Sequence, residues 1–225
     1  MIKAIIFDMD GVIVDSEPLW YKTAEEHLKL FGRKLPRSRS FKRYVSTTLR
    51  GRTQQYVIKI LRSKFGVTGS AKKIINDRVN ILLKIFDKGL KAVPGALALI
   101  NYLHQRNYKL LMASSSPRRV VNYVVKKYKL NKYFQKTVSG DDFQHSKPHP
   151  QIFLESAKLL REKPANVLVI EDSYSGIKAA KRAGMKCIGL KQPYTAYQYL
   201  KKADLVVKSL KGIDLKTIKE LTTSH

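Results

Sequence analysis

Short apolar runs punctuate the chain: AIIF at 4–7, LLMA at 110–113, VLVI at 167–170, CIGL at 187–190 and LVV at 205–207. Each is rich in Val, Ile or Leu and is bounded by polar or turn residues, as expected of strands covered on both faces in a parallel sheet. Helical spacing fills the intervals between them. Leu97, Ile100, Leu103 and His104 recur at helical intervals between Gly95 and Gln105. Pro117 can open a helix at its first turn, with Val120, Val121, Val124 and Val125 as the buried face. SGIKAAKRAG at 175–184 reads as a helix closed by Gly184. Strand alternating with helix predicts an α/β fold built on a doubly wound, Rossmann-like parallel sheet.

The rhythm breaks once. About a hundred residues separate AIIF from LLMA, where a crossover needs only one helix of about a dozen. Helical patterns near 17–31, 38–48, 53–65 and 71–87 occupy that gap, and no strand pattern does. The expectation is a core formed by 1–15 and 91–225, with an all-helical cap domain, 16–90, inserted after the first strand.

Charge changes the picture little. Lys and Arg number 44 against 17 Asp and Glu, a formal net charge of +27, which raises the question of a polyanionic partner. The basic residues are spread along the chain, and RSRSFKR (Arg37 to Arg43) and SPRR (Ser116 to Arg119) are only local clusters. No nucleic-acid-binding motif accompanies them, so nucleic acid is not expected as a partner, whereas small phosphorylated molecules are. The single cysteine, Cys187, cannot form an internal disulfide, which fits a reducing, cytoplasmic setting. The apolar start is broken by Lys3 and runs into Asp8 and Asp10, so no signal peptide is expected. No apolar stretch approaches the roughly eighteen residues of a membrane span.

Against this basic background, FDMDGVIVDSEPLW at 7–20 holds Asp8, Asp10, Asp15 and Glu17. Ligands of a doubly wound sheet bind beyond the carboxyl ends of its strands. Asp8 and Asp10 follow AIIF, Ser114 to Ser116 follow LLMA, and Glu171 and Asp172 follow VLVI, while Lys147 stands in the loop SKPHP. Together they make a kit for phosphoryl transfer. Carboxylate and carbonyl oxygens suit Mg2+. Asp8 can attack phosphorus as a nucleophile, and Asp10 can serve as general acid and base. Ser114 can donate to a phosphate oxygen, and Lys147 supplies a positive charge. Asp15 and Glu17 suit the positive end of the first inserted helix. Ser115 and Ser116 can cap the helix begun at Pro117. His145 and His149 have no metal spacing toward the carboxylates and read as surface loop.

At these residues the chain resembles a haloacid dehalogenase superfamily hydrolase, in the subgroup with a small helical cap that includes β-phosphoglucomutases and sugar-phosphate phosphatases. FDMDGVIVDSEPLW, MASSS, SKPHPQIF and VIEDSYSGIKAAKRAGM resemble its four motifs in order. The resemblance implies Asp8 as nucleophile, Asp10 as general acid and base, and Ser114 and Lys147 as phosphate-handling residues. Mg2+ would take Asp8, the Asp10 carbonyl and Asp172, with Glu171 as ligand or supporting group. It places substrate recognition on Trp20, Arg50, Gly51, Arg52 and Ser115. Mutase relatives carry a histidine where Trp20 stands and an arginine about where Gln54 falls, and both departures favour the phosphatase. The expected activity is therefore Mg2+-dependent hydrolysis of a sugar or polyol phosphate by a monomer. A β-phosphoglucomutase is the rival within the family, and a basic nucleic-acid-binding protein on the same frame is the rival from another class.

Overall fold

The computed structural model describes residues 1–195 and 197–223. Six strands, β1 (Ala4–Phe7), β2 (Lys109–Ala113), β3 (Lys136–Val138), β4 (Val167–Glu171), β5 (Lys186–Leu190) and β6 (Leu205–Val207), form one sheet. Every pairing is parallel, and the order is β3-β2-β1-β4-β5-β6. Five strands fall on the apolar runs. β3 does not, because KTV has one fully buried residue and an exposed lysine at its start.

Alternation along the strands sends side chains to two separate cores. Ile5, Phe7, Leu110, Met112, Leu168 and Ile170 face one side, together with Leu99, Ile100 and Leu103 of α5 (Ala96–His104) and Val120, Val121 and Val124 of α6 (Arg118–Lys127). The buried face of α5 thus centres on Leu99 rather than Leu97, which is only half-buried. Ala4, Ile6, Leu111, Ala113, Val167 and Val169 face the other side, against α7 (Gln151–Leu159) and α8 (Tyr174–Arg182). The C-terminal helix α9 (Leu215–Thr223) adds Ile218 and Leu221 to the first core.

Between β1 and α5 lie α1 (Glu17–Lys29), α2 (Arg39–Tyr44), α3 (Gln54–Phe65) and α4 (Ala71–Gly89). α2 runs on into a π-helical turn, Val45–Leu49. Leu28, Ile58, Leu61, Val67 and Ile74 make a third core within this group. Farther along α4, Val79, Leu82 and Phe86 instead join the sheet-side core. A helix of 19 residues, about 28 Å long at 1.5 Å per residue, thereby ties the helical group to the sheet. No described helix is long and apolar enough to cross a membrane.

Candidate active site

The register of the sheet assembles the site. Phe7 lies opposite both Met112 and Ile170, so the next residues along, Asp8, Ala113 and Glu171, emerge side by side at the carboxyl edge. Ser114 follows β2 directly, and its amide donates to the Val138 carbonyl at 3.1 Å. Lys147 arrives from the loop between β3 and α7, and it is 1 % exposed. Its Nζ donates to Asp8 Oδ1 at 2.6 Å and to Glu171 Oε1 at 2.7 Å. The other Glu171 oxygen accepts the Asp172 amide (2.8 Å), the Ser173 amide (2.7 Å) and the Ser173 hydroxyl (2.9 Å). Both Glu171 oxygens are thus engaged, which makes this residue an anchor for Lys147 and for the turn into α8.

Electrostatics follow from this crowding. Burial opposes the Lys147 ammonium, but Asp8 and Glu171 outweigh it and push its pKa up. Burial, against the attraction of Lys147 and with repulsion from Glu171 and Asp10, holds the Asp8 carboxyl well above the usual range. Asp172 is raised likewise, chiefly by burial, despite Arg50 beside it. One further cation would relieve both Asp8 and Asp172. Asp8, Glu171 and Asp172 each bring a carboxylate oxygen to within 4.8 Å of the others. A hard divalent ion such as Mg2+ fits this all-oxygen donor set. Gly11 keeps the rim open: its φ is +80°, and a Cβ there would run into the Asp172 carboxylate.

Asp10 sits in a separate cradle. Its Oδ1 accepts Ser16 Oγ at 2.5 Å and the Trp20 indole N–H at 3.0 Å. Its Oδ2 accepts Ser116 Oγ at 2.7 Å and Ser114 Oγ at 3.1 Å. Trp20 is therefore a partner of Asp10 as well as part of the cavity wall. Ser116 does not cap α6. That helix starts at Arg118, whose amide is taken by Asp141 at 2.8 Å. Arg118 itself is occupied by Asp142 and by the Thr137 carbonyl.

The helical group closes over this rim through its 50–53 loop. Arg50 is 5 % exposed. Its guanidinium donates to Asp172 and to Thr195, lies 3.2 Å from Glu17 and stacks 4.5 Å from the centre of the Tyr194 ring. Glu17 thus serves an ion pair in addition to opening α1. The Arg50 carbonyl accepts Ser175 Oγ at 2.7 Å, and the Gly51 carbonyl accepts Ser115 Oγ at 2.7 Å. A Cβ on Gly51 would press on the Ser173 and Ser175 hydroxyls, and its φ is +72°. Arg52 stacks over Tyr56 at 4.4 Å. A cavity of about 560 Å3 runs from Asp8, Asp10 and Asp172 past these residues into the helical group. His145 and His149 lie elsewhere, exposed and stacked on each other at 4.5 Å.

The sequence patterns gave no cue to Ser16, Thr195, Tyr194 or Arg78 as parts of this site. Ser16 at least lies inside the first motif, whereas Tyr194, Thr195 and Arg78 lie outside all four motifs.

Comparison with known proteins places this geometry. Residues 5–190 match the family described as haloacid dehalogenase-like hydrolase. A phosphorylated carbohydrates phosphatase of Thermotoga maritima is 30% identical over 186 residues, 83% of either chain. Hexitol phosphatase B of Escherichia coli is 28% identical over 85% of either chain. Among solved structures, β-phosphoglucomutase from Clostridium difficile superposes with a TM-score of 0.82 at 26% identity, covering 99% of this chain and 97% of the other.

Proposed function

The chain belongs to the haloacid dehalogenase-like hydrolases, and on that premise we propose a Mg2+-dependent phosphatase acting on sugar or polyol phosphates, through an aspartyl phosphate at Asp8. The observation that carries this reading is the buried Lys147, held at 2.6 Å from Asp8 and 2.7 Å from Glu171 at the carboxyl edge of the sheet. Such an arrangement keeps Asp8 fixed and partly neutralised where a phosphate dianion must approach.

When bound, Mg2+ would be held by Asp8 and Asp172, with the Asp10 carbonyl, and would offset charge on the transferring phosphoryl group. The chain's own groups do the rest. An Asp8 oxygen attacks phosphorus, the bond from phosphorus to the ester oxygen breaks, and the departing oxygen takes a proton from the Asp10 carboxyl. Asp10, now ionised, takes a proton from water as that water attacks the phosphoryl group. The bond to Asp8 breaks, and inorganic phosphate leaves. Ser16, Ser116 and the Trp20 N–H orient Asp10 for both transfers. Lys147 steadies the phosphoryl oxygens, joined by the Ser114 hydroxyl as it turns from Asp10 to the bound phosphate, and residues 16–90 act as a cap that excludes bulk water when the 50–53 loop is seated. Trp20, Arg50, Gly51, Arg52 and Ser115 line or close the substrate's side of the cavity.

The relatives described as phosphatases of carbohydrates and hexitols support this substrate class. The test is inorganic phosphate release from a panel of hexose, hexitol and glycerol phosphates, with Mg2+ and with EDTA, scoring β-glucose 1-phosphate for isomerisation in parallel. Metal-dependent release from members of the panel is expected. Isomerisation without release would assign a mutase instead.

A further inference from the structure

The basic residues are spread along the chain, but the acids are not. Between Asp87 and Asp141 no Asp or Glu occurs, while Lys and Arg recur throughout. This acid-free stretch carries α5, β2, α6 and β3, and so makes up the β3 edge of the sheet. α6 begins just after Ser114 at the carboxyl edge and runs away from it. The chain beyond α6 therefore reaches the opposite, amino edge, where the Gln135 amide donates to the Leu110 carbonyl at 2.9 Å.

Contacts between these elements gather their cations into one stripe. Lys126 and Lys127 end α6, and Lys129 and Lys132 follow in the next turn. The Tyr128 hydroxyl donates to the Leu90 carbonyl at 2.9 Å, which sets Lys88 and Lys91 beside them. Tyr133 packs edge-on against His104 at the end of α5, with ring centres 5.4 Å apart, and this brings in Arg106. All seven cations are exposed. None pairs with an acid among the described residues. Asp87, at the border of the stripe, instead accepts the Tyr123 hydroxyl at 2.7 Å. The dipole of α6 accounts for Lys126 and Lys127 in its last turn. It does not account for the rest, whose mutual repulsion an outside polyanion would relieve while shedding its own condensed counterions.

We propose that this stripe docks the phosphodiester backbone of a nucleic acid. Lysines are point charges on flexible stems, and they fit phosphates rather than base edges. An anionic membrane fits less well: the exposed large apolar side chains, Met1, Leu30, Leu159 and Tyr197, all belong to other elements, which leaves the stripe without an anchor. The surface is independent of the chemistry at the carboxylate rim, and it revises the expectation from sequence that nucleic acid is no partner.

The probes are RNA and DNA strands of about 20 nucleotides, duplexes of the same length, and vesicles containing phosphatidylserine. Fluorescence anisotropy on the full chain should show nucleic-acid binding whose log K falls against log salt with a slope of about −3 or steeper. The relative affinities of RNA and DNA then name the source of the backbone. Joint substitution of Lys126→Gln, Lys127→Gln, Lys129→Gln and Lys132→Gln should weaken binding at least about tenfold and flatten the slope by about two units or more. A control with Lys59→Gln, Lys72→Gln, Lys201→Gln and Lys202→Gln, exposed lysines elsewhere, loses the same net charge and should stay within about twofold of the wild type. If the stripe variant fails to fold, lysine acetylation of the wild type, read by mass spectrometry, decides in its place. Nucleic acid should shield the four stripe lysines and leave Lys201 and Lys202 reactive. Equal losses in the two variants, uniform shielding, a shallower salt slope, or tighter binding to the vesicles than to any nucleic acid would overturn the assignment.

Discussion

Asp10 meets four side-chain donors, and its proposed work as acid and then base depends on their holding it in place. Asp10→Asn keeps the shape and removes the proton chemistry. It is expected to slow both phosphoryl-enzyme formation and its hydrolysis by about 10²–10⁴-fold, measured as single-turnover phosphate release. Trp20→Phe removes one donor at 3.0 Å while leaving most of the ring. A loss of about tenfold in kcat is expected, in keeping with one hydrogen bond to a charged group, with little change in thermal stability. An unchanged kcat would show that Trp20 is only a wall. At this scale the sequence was informative wherever a residue directly followed an apolar run, as Asp8, Ser114 and Glu171 do. It was silent on Arg50 with Asp172, a pair separated by 122 positions, because no local pattern announces which acid a basic residue will meet. Arg78 was hidden for a related reason: one arginine among the lysines and asparagines of α4 looks like any polar position until the fold buries it.

At the scale of elements, the inserted helices were legible from their periodicity, and the break of 38–48 into α2 and a π-helical turn was not. Both conformations use nearly the same spacing, and the difference lies in a single residue of register. β3 was missed because three residues with an exposed lysine do not form an apolar run. Within the helical group, His27 of α1 is buried and neither ring nitrogen has a hydrogen-bond partner. Burial and the charge of Arg78 lower its pKa from 6.5 to about 4. The folded chain therefore refuses a proton that the unfolded chain accepts. No penalty exists above pH 6.5, and stability declines as pH falls from there to about 4, by at most about 3 kcal/mol. Urea unfolding of wild type and His27→Leu across this window should show a steeper acid loss in the wild type. Parallel curves would remove His27 as the cause. Gly51 belongs to the same scale. Gly51→Ala is strained at φ +72° and collides with the serines beneath it, so the 50–53 loop should seat poorly and kcat/KM should drop by tenfold or more, while the unfolding midpoint moves little.

The whole molecule carries a net charge of +27 around a recessed anion site. Long-range attraction should therefore speed the capture of phosphate esters. Between roughly 0.01 and 0.15 M salt the screening length shrinks from about 30 to about 8 Å, and kcat/KM should fall several-fold while kcat holds. A salt-independent kcat/KM would mean that the basic surface plays no part in substrate capture. The fold class was the most legible feature, because five of six strands are short apolar runs, whereas the strand order was not read from the sequence. The central claim, however, concerns one bond. Wild-type protein turning over a hexitol phosphate with Mg2+ should be quenched in acid, digested and examined by mass spectrometry for phosphate on the peptide carrying Asp8. The account predicts phosphate on Asp8 itself during turnover and none in Asp8→Asn, which should release no phosphate. Phosphate release at an undiminished rate from Asp8→Asn would contradict it.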